Sequence, residues 1–311
     1  MGISGQATAA ASTDGGRAES QGVSLAGVPL GIIAGGGVLP ARVAAAARAA
    51  GRPVFLVGLD GFADPAVLAP FPHAMIRLGA AGRILGTLRA HGCRDLVMIG
   101  PVRRPSLLHL RPDAEGAKIL ARLGVAAFKG DDGLLAAVIR LLEEEGFRVI
   151  GAHEVLRALL APPGVLTRVA PDDQARADIA RGVAVVRLLG QADVGQGCVV
   201  QQGLVLAVEA IEGTDAMLAR CGVLKRTGLG GVLVKLAKPG QERRADLPTL
   251  GPETVRHAAA AGLRGLAFEA GSTILAQQEA LVAEADAAGL FLYGFDPGAD
   301  ITVTTTRGTV P

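Results

Sequence analysis

"PLGIIAGGGVLPARVAAAARAAGRPVFLVGL", residues 29–59, decides the fold. It opens with a short apolar run ending in glycine, "PLGIIAG", which reads as a strand. "LPARVAAAARAA" follows as a helix with Pro40 near its start, where a missing N–H costs no intrahelical bond. "PVFLVGL" is a second apolar run, again a strand. A helix between two strands lets the chain re-enter a sheet in the same direction, so the unit predicts parallel pairing.

The rhythm continues outward from this unit. "HAMIRL" is a weaker strand, "RILGTLRAHG" a helix and "DLVMIG" a strongly apolar strand. Two helices over about 114–127 and 131–145 lead to the strand "FRVIGA". "LLAPPGVLTRVAPDD", with three prolines and a glycine, marks the middle of the chain as a linker. A helix over 173–190 opens the second half, and "GCVVQQGLVLAVEA" reads as a hairpin turning at Gln202-Gly203. A helix over 215–221, the strand "GVLVKLA", a helix over 252–261, the strand "LAFEA", a helix over 278–288 and the strand "LFLYGF" complete the pattern. The expected fold is therefore two α/β domains joined by a linker. The first (28–160) carries a mostly parallel, Rossmann-like sheet, the linker covers 161–172, and the second (173–311) carries a mixed sheet with helices.

Composition fits this reading. Half of the 311 residues are hydrophobic but only 3% are aromatic and none is Trp, so the cores are built from Ala, Val, Leu and Ile. That suits sheets covered on both faces. A formal net charge of +2 gives no basic surface for nucleic acid. Three scattered cysteines (Cys93, Cys198, Cys221) form no CxxC pair and fit a reducing compartment. Five equally scattered histidines give no zinc spacing. Residues 1–27 are small and polar and lack the basic start and apolar core of a secretory signal, so they read as a flexible extension. No apolar run approaches the ~20 residues of a spanning helix. The expectation is a cytoplasmic protein that touches a membrane only from outside.

In open α/β sheets ligands gather beyond the carboxyl ends of strands, and the polar residues of this chain concentrate there. Gly35, Gly36 and Gly37 open a helix directly after a strand. Bare amides at that point hold phosphate, whereas the alternative is a tight turn that needs small residues. The dinucleotide fingerprint is broken, because Pro40 occupies its third glycine position, although Asp60 mimics a ribose-binding acid. "PVRRPSLLHLRPD" supplies Arg103, Arg104 and Arg111, forks suited to phosphate oxygens or else an ordinary solvated loop. Asp131 and Asp132 in "GDDGLL" serve either the site or the start of a helix. Gln196 stands before the hairpin as a hydrogen-bonding group or a turn residue. "KLAKPGQERRADLP" provides Lys235, Lys238, Gln241, Arg243, Arg244 and Asp246. Lys235 is the most informative cation: inside an apolar strand it either snorkels to solvent or meets a buried anion.

"VEAIEGTDAMLAR", residues 208–220, sets Glu209, Glu212 and Asp215 three residues apart around a Gly-Thr pair. With a strand ending near Glu209 and a helix capped by Thr214 or Asp215, the three acids are expected to converge at one strand end. Carboxylates beside lysines and arginines suit a Mg²⁺ ion and phosphoryl chemistry. The alternative is one capping acid and two solvated ones.

At these residues the chain resembles the LpxI-type UDP-2,3-diacylglucosamine pyrophosphatases of lipid A biosynthesis. The likeness rests on "GIIAGGGVLP", "PVRRPSLLHLRPD", "GDDGLL", "DVGQGCVVQQGLVLAVEAIEGTDAML" and "VLVKLAKPGQERRADLPTLGPETV", and spans about Leu30 to Phe295. It implies a Mg²⁺-dependent hydrolase that cleaves UDP-2,3-diacylglucosamine into UMP and 2,3-diacylglucosamine 1-phosphate (lipid X), with the acylated sugar held between two α/β domains. It also implies an essential acid in the "EGTD" motif, here Asp215. Metal contact is then expected from Asp215 and Glu212, with Glu209 and Lys235 as further catalytic groups. The glycines at 35–37, Arg103, Arg104, Asp131, Asp132, Gln196, Thr214, Lys238, Gln241, Arg243 and Asp246 are the expected substrate contacts. An acylated substrate implies transient contact with the inner membrane. Two rivals differ in class: an NAD-linked oxidoreductase, and a non-catalytic nucleotide-sugar or lipid carrier.

Overall fold

The computed structural model describes residues 27–103, 110–124, 130–296 and 298, with backbone only over 130–132. The 1–26 stretch of the extension, Arg104 and His109 lie outside the described residues. The chain runs β1 (Leu30–Ala34), α1 (Leu39–Ala49), β2 (Val54–Leu59), α2 (Pro65–Leu68), β3 (His73–Ile76), α3 (Ala81–Ala90), β4 (Asp95–Ile99), α4 (Ala114–Leu123), α5 (Gly130–Glu144) and β5 (Arg148–Val149). These strands form one parallel sheet in the order β3-β2-β1-β4-β5. Every residue of β2 is buried, which explains why the strand reads as a continuous apolar run rather than an alternating one. On α1, Leu39, Val43, Ala44 and Ala47 are buried at helical spacing and cover one face of the sheet. Because the chain leaves β1 in one direction and returns as β4 on its other side, the β1/β4 crevice is the switch point of the sheet.

The second half continues with α6 (Ala152–Val155), a 3₁₀ turn over Arg157–Leu159, β6 (Gly164–Val165), α7 (Asp173–Gln191), β7 (Gly197–Gln201), β8 (Leu204–Val208), α8 (Gly213–Leu224), β9 (Val232–Lys235), β10 (Thr249–Leu250), α9 (Pro252–Ala260), β11 (Gly265–Glu269), β12 (Ile274–Leu275), α10 (Gln278–Ala287) and β13 (Phe291–Phe295). Its main sheet has the order β6-β13-β11-β9-β7-β8. The central β9, β11 and β13 are parallel, whereas β7 is antiparallel to both of its neighbours and β6 to β13. The hairpin turns where expected, with positive φ at both Gln202 (52°) and Gly203 (78°). Buried Asp178 on α7 fixes it, accepting hydrogen bonds from both turn amides at 3.1 and 2.7 Å.

Several boundaries move. The helix expected over 114–127 stops at Leu123, and "FRVIGA" pairs over only two residues. The helix expected over 215–221 runs from Gly213 to Leu224. The stretch read as a linker is built into the second domain: Ala161 is buried in that core, and β6 pairs at the edge of its sheet. Two-residue β10 and β12 pair in parallel as a small separate sheet, too short for any periodic signal. Next to that sheet, Leu247 and Ile274 are buried in the apolar cluster of the first domain, against Leu30, Ile32 and Leu39. The two halves thus share part of one core.

Candidate active site

A cavity of about 350 Å³ opens between the halves at the carboxyl ends of β4 and β9. One wall comes from α1, the end of β4 with the loop after it, and α6: Leu39, Met98, Ile99, Gly100, Pro101, Ala152 and His153. The other comes from Gln196, Glu209, Thr214, Lys235, residues 243–247, Thr249 and Ile274.

Lys235 is the last residue of β9, and its side chain is 3% exposed. It therefore meets an anion instead of snorkelling. Its Nζ donates to Thr214 Oγ1 at 2.6 Å and lies 3.6 Å from Glu209 Oε2. The Thr214 hydroxyl in turn donates to Glu209 Oε1 at 2.7 Å. Glu209 is anchored by its own amide, which donates to Gly197 O at 2.8 Å. Glycines make room for it: a Cβ at Gly195 would stand 2.0 Å from Glu209 O, and one at Gly197 would stand 2.6 Å from Glu209 Oε2. Glu209 Oε2 is itself buried without a hydrogen-bond partner among the described residues. Such an orphan acceptor costs about 1–3 kcal/mol, so it marks a position where a ligand or water completes the shell.

The loop after β9 forms the rim. Gln241 Nε2 donates to Asp246 Oδ2 at 2.5 Å and reaches Gln196 Oε1 at 3.5 Å. Its Oε1 accepts from Lys238 N at 2.9 Å, so Gln196, Gln241 and Asp246 form one polar chain. Arg243 donates to Gly271 O and Ser272 Oγ. Arg244 lies between Glu242 and Glu143 of α5, tying the rim to the first domain. The hydrogen bonds that Arg244 donates to Glu242 raise its pKa above the ordinary guanidinium value, with Glu143 adding to the effect against burial.

The three acids of residues 208–220 do not converge. Glu209 lines the cavity, whereas Glu212 pairs with Arg220 at 2.7 Å and Asp215 meets His257 Nδ1 at 3.1 Å. A backbone hydrogen bond and Arg220 hold the Glu212 pKa below the usual carboxylate range. The cause is the earlier helix start: Glu212 is the N-cap and contributes no capping side chain, and Gly213 turns with φ 79°. Thr214 and Asp215 therefore lie inside the first turn and cap nothing. Thr214 points to the cavity, and Asp215, 61% exposed at its side chain, points to α9.

The glycine turn also differs from a bare phosphate cradle. Gly35 N donates to Ile99 O at 2.9 Å and Gly36 N to Pro101 O at 3.0 Å, so two of the three amides are spent on the end of β4 and the loop after it. A Cβ at Gly35 would stand 2.3 Å from Gly100 O, which identifies these residues as a close backbone crossing. Arg103 is exposed and outside the cavity wall. Asp131 and Asp132 lie in the first turn of α5, and their side chains are outside the description. Lys238 pairs with Asp193 at 2.7 Å, behind the rim. His153 and Thr249 are the polar wall residues that sequence reasoning missed. The available signal for His153 was its place just after "FRVIGA", a strand end whose following residues were not weighed.

Comparison with known proteins follows the same division of the chain. The LpxI N-terminal domain matches residues 29–159, and the LpxI C-terminal domain matches residues 162–293. The chain is 48% identical over 274 residues to the UDP-2,3-diacylglucosamine pyrophosphatase LpxI of Caulobacter vibrioides, covering 86% of this chain and 98% of that relative. The chain belongs to the LpxI family.

The LpxI cavity can be tested against a hard divalent cation. Among the described residues no group of three or more His, Cys, Asp or Glu is placed to hold a metal ion. Mg²⁺ does not need one, since it binds through one or two carboxylates and takes its other ligands from water and phosphates. Glu209 and Asp246 are the carboxylates of the cavity wall, and Glu209 Oε2 is unpartnered, so the donor set fits. Glu212 and Asp215, the pair expected from sequence, lie outside the wall. Among the described residues, no helix is long and apolar enough to cross a membrane.

Proposed function

We propose that this cavity hydrolyses the pyrophosphate bond of UDP-2,3-diacylglucosamine, releasing UMP and lipid X in lipid A biosynthesis. The observation that carries the reading is the buried Lys235–Thr214–Glu209 chain with its unpartnered carboxylate oxygen, set in the interdomain cleft of an LpxI family member. Lys235 binds phosphate oxygens and offsets the charge that develops on them. Thr214 holds Lys235 and Glu209 in register. Glu209 Oε2 accepts a hydrogen bond from the attacking water and takes its proton as the new P–O bond forms and the bridging P–O bond breaks. Gln196, Gln241 and Arg243 orient the substrate, and burial behind Leu39 and Pro101 keeps bulk water out. Asp246, together with substrate phosphates, would hold Mg²⁺, which when bound polarises phosphorus and neutralises phosphate charge. The acylated substrate brings the protein into transient contact with the inner membrane from the cytoplasmic side.

The dinucleotide reading finds no support in a turn whose first two amides are already bonded. A carrier reading gains nothing from a carboxylate oxygen that faces an anionic ligand without a hydrogen bond among the described residues. The deciding experiment incubates the purified protein with UDP-2,3-diacylglucosamine, with and without Mg²⁺. Release of UMP and lipid X only with the metal is expected. Binding without UMP release makes the protein a carrier and overturns the proposal.

A further inference from the structure

The wall contributed by the first domain is Leu39, Met98, Ile99, Gly100, Pro101, Ala152 and His153, and His153 alone in that set has a polar side chain. It follows the carboxyl end of β5 as the second residue of α6, so topology delivers it to the cleft. Its Nδ1 is buried and without a partner among the described residues. The imidazole lies over Gly151, where a Cβ would stand 2.3 Å from Cε1 and 2.7 Å from Nδ1. Gly151 N does not hold the ring, because that amide donates to Glu154 Oε1 at 2.6 Å. The second domain gives the same cavity Lys235, Arg243, Arg244, Glu209 and Asp246. A glycine kept beneath an imidazole that bonds to nothing at Nδ1 is poorly explained by packing, since an orphaned ring nitrogen is a cost with no folded-state return.

From this we infer that His153 is a catalytic residue, the group by which the first domain grips the substrate's pyrophosphate. A ring N–H donates to a phosphate oxygen opposite Lys235, so the two domains hold the reacting group from both sides. As the bridging P–O bond breaks, its electron pair passes to the leaving phosphate, and the His153 hydrogen bond strengthens with that charge. No proton need leave the ring. The inference rests on the hydrolase reading above.

The test compares wild type, His153→Ala and His153→Asn in Mg²⁺ with UDP-2,3-diacylglucosamine, and measures the thermal midpoint of each with and without substrate. His153→Ala should lose roughly 100-fold in kcat, with a smaller change in KM and no fall in the ligand-free midpoint. Its substrate-induced midpoint shift should shrink, and the side-chain amide of His153→Asn should restore part of the rate. Near-normal kcat for both variants beside an active wild type overturns this inference and leaves the hydrolase reading intact. A folded, equally slow pair whose substrate-induced shift matches wild type also overturns it. An inactive wild type overturns both. If His153→Ala does not fold, the kcat and midpoint shift of His153→Asn decide.

Discussion

Asp95 and Glu209 are both buried carboxylates beside cations, one in each half of the molecule and at opposite ends of their strands. Asp95 begins β4, 3% exposed, and both of its oxygens are used: Arg148 donates to each at 2.7 and 2.8 Å, and Arg52 adds a third bond at 2.5 Å. Arg52 is itself tied to Val28 O. Glu209 follows β8 with one oxygen bonded to Thr214 and the other without a hydrogen bond among the described residues, its cation 3.6 Å away. A saturated pair has no capacity left for a ligand and serves as a staple. An unsaturated one retains the lone pairs and N–H groups that chemistry uses, at the expense of stability.

Glu209→Gln should therefore separate the two roles most sharply. Its kcat should fall by about 10³-fold, with a smaller loss of thermal midpoint than Asp95→Asn because Lys235 keeps its hydrogen bond to Thr214. Unfolding of this variant under assay conditions would show that Glu209 is a staple after all. Asp95→Asn should do the opposite, losing about 3–5 kcal/mol by leaving Arg52 buried and unpaired, with turnover per folded molecule intact. Its pH dependence fixes the cause. Burial by itself would raise the Asp95 pKa, but hydrogen bonds and charges from Arg148 and Arg52 outweigh it and hold the group below the usual range. A depressed folded pKa gives stability that is full above the unfolded value, near 3.9, and lost as pH falls through the folded one. The deficit of Asp95→Asn in denaturant titrations should accordingly be full at neutral pH and shrink below about pH 4.

Within the acids nearer the cleft, Asp246→Asn should cost about 10²-fold in kcat and Asp215→Asn less than tenfold, because only the first lines the cavity. The reverse ranking would return the metal to the "EGTD" turn. The smallest effect belongs to the exposed clasp between halves. Glu143→Gln removes one partner of Arg244 and should change stability by no more than about 1 kcal/mol, leaving kcat unchanged. A large kcat change would make the clasp part of the reaction cycle.

Much of the frame could be read from residue order. Apolar runs separated by helical stretches located both main sheets, and the Gln202-Gly203 pair located the hairpin. Lys235 stood out because a cation inside "GVLVKLA" has few places to go. What could not be read depends on contacts distant in sequence. The aim of each acid in "VEAIEGTDAMLAR" turned on a helix starting two residues early, behind a left-handed Gly213. The loss of two glycine amides to Ile99 and Pro101 is a crossing between strands 65 residues apart in sequence, counting from Gly35 to Gly100. His153 carries no spacing signal beyond its place after a strand end, and it is the cavity that shows the first domain has no other polar side chain to offer there among the described wall residues.

Leu247 and Ile274 come from the second half but are buried in the core of the first. Removing such side chains from an apolar setting costs about 1.5–3 kcal/mol each. The same arithmetic warns against dissection. A fragment ending near residue 160 would fold around two vacant places under α1, and would be expected to recruit another chain's leucines to fill them.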